Sequence, residues 1–512
     1  MVVKIAFIVI FFALTVAVGI YSRKHAGDVN GFLMGGRSVG PWLTAFAYGT
    51  SYFSAVIFIG YAGQFGWRYG IAATWIGIGN AVIGSFLAWK VLAKRTRILS
   101  QHYESATMPD YFGKRFQSKS LKIAASVLVF VFLIPYTASL YNGLSRLFNM
   151  AFSIDYTWCV IVMAALTAIY VILGGYMATA INDFIQGVIM IFGIVAVIAA
   201  VLSQSGGFAE AINSLSQIDA GTTQQGAFTS FFGPDLLNLG FVVLLTSFGT
   251  WGLPQMVQKF YAIKDEKAIG RGTLISTVFA IIVAGGCYFL GGFGRLFGDK
   301  IVYGANGAPV YDSIIPSMLA ELSPILIGLV VVLVLAASMS TLSSLVLTSG
   351  STLTLDFIAP LKKKEMSQKA QMLTIRGLIL FFIVVSAIIA IVQVKFSIAF
   401  IAQMMGISWG ALAGAFLAPF LCSLYSSKVS RASVWASFLF GSCFMILDMI
   451  FYFGGVTFTN PVLSTIFSSP INAGVIAMAG GMVLVPIISL IFPDKKIRTE
   501  ADEIFKELHF KN

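Results

Sequence analysis

The sequence predicts an all-α, polytopic membrane protein built from two five-helix units of opposite orientation, and three observations predict it. First, 58% of the 512 residues are hydrophobic and only 11% charged, with a mean hydropathy of +0.89, where a soluble chain carries roughly a quarter charged residues. Second, apolar stretches long enough to cross a bilayer recur about thirteen times. Third, two of those stretches, five spans apart, hold residues that interrupt a helix.

Only helices account for runs this long, because hydrocarbon leaves open backbone groups unsatisfied. The spans cover 3–22, 41–62, 71–94, 123–149, 157–176, 179–204, 236–258, 272–294, 323–358, 372–394, 397–426, 432–455 and 471–492. The first is read as a membrane helix and not a cleaved leader, since Ser22-Arg23-Lys24-His25 follows it where a small-residue cleavage site would stand. The expected organisation is a first helix and inside loop (1–40), repeat one (41–204), an outside loop (205–235), repeat two (236–426), two peripheral helices (427–492) and an inside tail (493–512).

The net charge of +12 does not indicate nucleic acid, because the basic residues are scattered between spans, where they set orientation. With the N-terminus outside and the C-terminus inside, all of the 33 Lys and Arg fall inside except Lys4, Arg68, Arg146, Arg295, Lys300 and Lys395. The long outside loop carries Glu210, Asp219 and Asp235 but no Lys or Arg, in agreement. The four cysteines, Cys159, Cys287, Cys422 and Cys443, lie in apolar segments without metal or CxxC spacing and read as reduced, small hydrophobes.

Span two contains Gly49-Thr50-Ser51-Tyr52-Phe53-Ser54, and span seven contains Gly249-Thr250-Trp251-Gly252-Leu253-Pro254. Small, hydroxyl and proline residues in mid-span break the hydrogen-bond ladder. Spans two to six and seven to eleven then form two units that each open on a broken helix. An odd number of helices per unit inverts one relative to the other. Broken helices at matching positions point to the substrate and ion site of a secondary transporter, near the midplane.

Span nine adds oxygen ligands. On a helix, Ala337, Ser340, Thr341, Ser344 and Thr348 fall within one arc of about 100°, with Ser343 at its edge. Single Ser and Thr residues in membrane helices usually bond back to their own backbone. A cluster of them facing a broken helix instead offers neutral oxygens to a hard, monovalent cation. Asp183, on span six, is the carboxylate best placed at membrane depth and marks an ion pathway; Asp356 and Asp448 read as structural.

Two stretches carry a family resemblance. Leu173-Gly174-Gly175-Tyr176-Met177-Ala178-Thr179-Ala180-Ile181-Asn182-Asp183-Phe184-Ile185-Gln186-Gly187 resembles the signature of the sodium:solute symporters, with Asn182 in place of the usual Thr. Ala336-Ala337-Ser338-Met339-Ser340-Thr341-Leu342-Ser343 is similar to the sodium-ligand helix of the family's proline branch. The resemblance covers about 3–492 and implies a leucine-transporter-like inverted repeat in the cell membrane, with Na+ as coupling ion and a small organic solute as cargo. It implies a first sodium site from the carbonyls of Thr50, Phe53 and Ala337 and the hydroxyls of Ser340 and Thr341. It also implies a second site from Asp183, Ser340, Ser343 and Ser344, a set that some members, sialic acid symporters among them, use for a second sodium.

For the solute, Tyr52, Ser54, Tyr136, Thr250, Trp251 and Gln255 are the candidates, with Gln258 nearby. The family's proline symporters carry an aspartate at Tyr52 and aromatic residues at Thr246 and Thr250. Its sugar symporters carry acidic and amide groups where this chain has Ala55-Val56-Ile57-Phe58. An apolar lining leaves sugar hydroxyls unpaired, so the expected solute is a carboxylate or amino acid of the pantothenate, monocarboxylate or proline kind, a sugar or sialic acid being the alternative. Amide groups exposed at 250–251 are expected to hold a carboxylate. An enzyme is disfavoured because His25, His102 and His509 all lie in loops or the tail. A channel would repeat a filter motif about an axis, and a receptor would append a large soluble domain. Besides solute, sodium and the lipid bilayer, this reading requires no protein partner.

Overall fold

The computed structural model describes residues 2–23, 27–221, 225–304, 307–395 and 401–508. Lys24, His25, His509 and the start of span eleven lie outside them. Among the described residues, extended pairing is limited to two single bridges, Val39 with Ile263 and Tyr303 with Pro309; the rest of the regular structure is helical.

Among the described residues, ten helices are long and apolar enough to cross a membrane, and the bent pair Leu236–Gly252 and Pro254–Ala262 makes an eleventh. Two of the ten, Val56–His102 and Tyr156–Gln204, are 47 and 49 residues long. A straight helix of that length would reach about 70 Å, more than twice the hydrocarbon thickness. Each contains a glycine in a conformation that other residues rarely adopt: Gly70 at φ 62°, ψ −140° and Gly175 at φ 56°, ψ −151°. At Gly175 a Cβ would also fall 2.6 Å from the Phe32 ring, so both backbone and space require glycine.

The helix Pro324–Thr352 is the axis of the bundle. Ser323 caps its start by accepting from the Leu326 N–H, with Pro324 in the first turn. Of the most apolar window of Pro324–Leu361, 83% is buried, against 17% for the first helix; its hydroxyls therefore face protein and not lipid. It packs against Val2–Ser22, Pro41–Tyr52, Lys119–Phe152, Tyr156–Gln204 and Gln368–Lys395.

A second buried helix, Ile401–Tyr425, carries Gly406, Gly410 and Gly414 at four-residue spacing. A Cβ on Gly410 would fall 2.8 Å from the Gly474 Cα, and one on Gly414 2.8 Å from the Ala477 Cβ. This small-residue face lets Pro470–Ile491 approach to backbone contact, the packing that membrane helices rely on in the absence of a hydrophobic drive between them.

One end of the bundle is latched. Arg37 donates to the Ser100 hydroxyl at 3.0 Å, the Tyr261 carbonyl at 3.2 Å and the Ser105 carbonyl at 2.7 Å. Val39 donates to the Ala262 carbonyl at 3.2 Å and accepts from the Lys264 N–H at 3.0 Å. The start of Pro41–Tyr52 is thereby tied to the end of Pro254–Ala262, and the two interrupted helices are closed together on that side.

Candidate functional site

In span two, Pro41–Tyr52 ends at Phe53, which turns extended (φ −99°, ψ 105°); the chain becomes helical again from Ala55. An interrupted ladder frees carbonyls of the last turn, and the Thr50 carbonyl is one of them. It accepts from the Ser340 hydroxyl at 3.0 Å and the Thr341 hydroxyl at 3.2 Å. Both hydroxyls also reach the Ala337 carbonyl, at 3.1 and 3.2 Å. Thr50, Ser340 and Thr341 are wholly buried.

Four of the five oxygens expected for the first sodium site thus stand within hydrogen-bond reach of one another, contributed by a break and by the helix facing it. Phe53, the fifth, lies at the break. Each hydroxyl donates one hydrogen and keeps lone pairs, so the set can turn oxygen toward a cation while still bonding a carbonyl. The approach depends on Gly187, where a Cβ would meet the Phe46 ring at 2.3 Å and the Thr50 methyl at 3.0 Å.

In the second set, Ser344 and Asp183 are bridged by a residue the sequence reading misplaced, while Ser343 bonds back along its own helix. Ser343 and Ser344 both donate to the Ser340 carbonyl, at 2.8 and 3.3 Å, and Ser344 shares a 2.8 Å hydrogen bond with Ser51. Asp183 is wholly buried. Lys259, assigned from sequence to an inside connection, is only 2% exposed. Its ammonium donates to the Ser344 hydroxyl at 2.9 Å, lies 3.9 Å from an Asp183 carboxylate oxygen and stands over the Tyr176 ring at 5.2 Å. The reason is the break. Span seven bends by 49° and its second half runs on to Ala262, so Lys259 belongs to the helix and faces the bundle.

The solute candidates divide. Ser54 and Tyr136 are buried with hydroxyls that have no hydrogen-bond partner among the described residues, and both amide atoms of Gln255 are likewise free. Tyr52 stacks on Phe53 at 4.4 Å and lies 5.9 Å from Trp409, which meets Tyr136 edge-on at 5.8 Å. Its hydroxyl is already committed to the Thr246 carbonyl.

Thr250 bonds back to the Ser247 carbonyl at 2.9 Å. Trp251 departs from expectation: its indole N–H donates to the Ile83 carbonyl at 3.1 Å, and its ring lines an apolar recess with Leu417, Leu421 and Met482, apart from Tyr52 and Tyr136. The stretch 249–252 stays helical and the chain extends only at Leu253. The free helix start is therefore at Gln255, past Pro254, and not at 250–251. Gln258 is structural, donating to the Leu33 carbonyl at 3.1 Å and accepting from Thr348 at 2.9 Å.

Sequence reasoning missed Trp409 and Lys259. Trp409 had a signal, a lone large aromatic between Gly406 and Gly410 on a helix of small residues. Lys259 had one only if the helix is continued past the break.

A family model described as the sodium:solute symporter family matches residues 32–441. The chain belongs to the sodium:solute symporter family. This symporter is a multi-pass membrane protein that couples sodium to the movement of a small solute. It is 27% identical to the osmoregulated proline transporter OpuE of Bacillus subtilis over 452 residues, covering 86% of this chain and 87% of the other. It is 28% identical over 443 residues to the sodium/proline symporter of Escherichia coli, covering 84% and 85%. Among solved structures, a substrate-bound, outward-open Na+-coupled sialic acid symporter superposes with a TM-score of 0.73 at 18% identity, covering 96% of this chain and 99% of that one. That likeness shows a shared fold.

Proposed function

We propose that this symporter moves a small carboxylate or amino acid with sodium by alternating access, using a leucine-transporter-like pair of inverted repeats, 41–204 and 236–426. The bends at Gly70 and Gly175 support a reading of thirteen passes, and the inside bias of the basic residues supports an N-terminus outside and a C-terminus inside. The observation that carries the reading is the convergence of the Thr50 and Ala337 carbonyls with the Ser340 and Thr341 hydroxyls where the broken helix meets the axis. Neutral oxygens from two helices can replace much of a sodium ion's water. Because they come from two elements, occupancy favours the arrangement in which those elements touch, and that arrangement shapes the adjoining solute pocket.

For the solute, Ser54, Tyr136, Gln255 and Trp409 present free, uncharged polar atoms beside aromatic faces. A carboxylate accepts from such donors. A sugar would meet Ala55, Val56, Ile57 and Phe58, all buried and apolar. Proline, carried by the relatives named above, fits in size and charge, and Tyr52 supplies an aromatic face for its ring in place of a carboxylate. The test is a sodium-dependent uptake and thermal-shift screen across amino acids, monocarboxylates, pantothenate, sialic acid and sugars. A response confined to the first three classes is expected; a response to sugars alone overturns the assignment.

A further inference from the structure

We propose that the Lys259 ammonium is a tethered cation standing where family resemblance puts a second sodium, so that the symporter binds and moves one sodium ion per cycle. The inference rests on the sodium-coupled reading above and adds its ion count.

The residues do not fit a second ion. Asp183 is wholly buried, and an ionised carboxylate at membrane depth persists only if paired. Neither of its oxygens has a hydrogen-bond partner among the described residues; the charge beside it is Lys259, at 3.9 Å. The same ammonium occupies the Ser344 hydroxyl at 2.9 Å. A sodium ion sharing Asp183 and Ser344 would have to sit against a fixed positive charge, with one carboxylate between two cations. The bundle holds the lysine in this place: Gln258, its neighbour, is bonded on both sides, and the Tyr176 ring face lies under the ammonium.

A consequence follows for coupling. Ser344 lies one helical turn beyond Ser340, and its hydroxyl touches Ser51 in span two. The lysine therefore joins both broken helices and the axis at a point adjoining the mobile sodium. It supplies the electrostatic contact of a second ion without being bound or released.

The test is equilibrium binding of 22Na+ alone to the purified full-length protein, with the Hill coefficient for sodium in solute uptake as the second readout. One ion per protein and a coefficient of one are expected. Lys259→Gln should bind a second sodium and raise the coefficient towards two, because Asp183 is then free to take it; adding Asp183→Asn should return both to one. Two ions bound by the wild-type protein overturn the inference and leave the sodium-coupled reading intact. No sodium binding and no sodium-dependent uptake overturn both. If Lys259→Gln does not fold, the wild-type ion count alone decides.

Discussion

At Ser340 and Thr341 the axial helix sets two hydroxyls between its own Ala337 carbonyl and the facing Thr50 carbonyl of span two. One turn on, at Ser344, it meets the Lys259 ammonium, which stands 3.9 Å from the Asp183 carboxylate. The first set carries no charge of its own, so a cation can enter and leave with its charge as the only change. The second is already balanced inside the protein and gains nothing from a further ion. On the proposed reading, two neighbouring turns with similar side chains have different duties: one exchanges its ion, the other holds the broken helices in register.

The difference can be broken most forcefully at the charged turn. Asp183→Asn leaves a buried ammonium unpaired, which costs about 3–5 kcal/mol. A large fall in melting temperature and near loss of uptake are expected, with stability regained in the double variant Asp183→Asn, Lys259→Met. A single variant that melts like the wild type would remove the pairing from the account.

At the neutral turn, Ser340→Ala deletes one ligand to a charged ion, worth about 1.5–3 kcal/mol. Half-saturating sodium should rise about tenfold to a hundredfold, while Ser343→Ala, away from the first set, should shift it by about threefold at most. Equal effects would erase the distinction between the turns.

A subtler probe leaves every ligand in place. Gly187→Ala puts a methyl against Phe46 and Thr50, where the space is already filled, and overpacking costs about 1–3 kcal/mol. Titration of uptake with sodium should show weaker apparent affinity, with the solute dependence little changed at saturating sodium. The smallest effect is expected from Trp251→Phe, which loses the bond to the Ile83 carbonyl, about 1 kcal/mol of stability. Solute KM should stay within about twofold of wild type, and a larger rise would return Trp251 to the solute pocket.

Most of the scaffold was legible in the sequence because bilayer crossing imposes a length and a polarity on each segment, and because glycine, proline and hydroxyl residues are conspicuous inside such segments. The breaks at 49–54 and 249–254 follow from residue type, and the hydroxyl stripe holding Ser340 and Thr341 from helical periodicity; their assignment to sodium came from the family resemblance. What was not legible depends on where a helix resumes after its break. Hydropathy ended span seven at Gln258, since lysine follows, and so sent Lys259 to a loop; a bend of 49° extends the helix by a turn and turns that lysine inward. The helix restart past Leu253 likewise moved the free amide from 250–251 to Gln255 and left Trp251 in the apolar recess beside Leu417. Trp409 escaped because its role arises only from ring contacts with Tyr52 and Tyr136, which are distant in sequence.

The central claim, that neutral oxygens at the first break couple sodium to solute, is tested most directly by reciprocal flux in proteoliposomes holding the full-length protein. An inward sodium gradient should drive solute accumulation, and the same solute should raise 22Na+ entry in fixed proportion, both weakened together by Ser340→Ala. Accumulation that ignores sodium and follows a proton gradient would contradict the account.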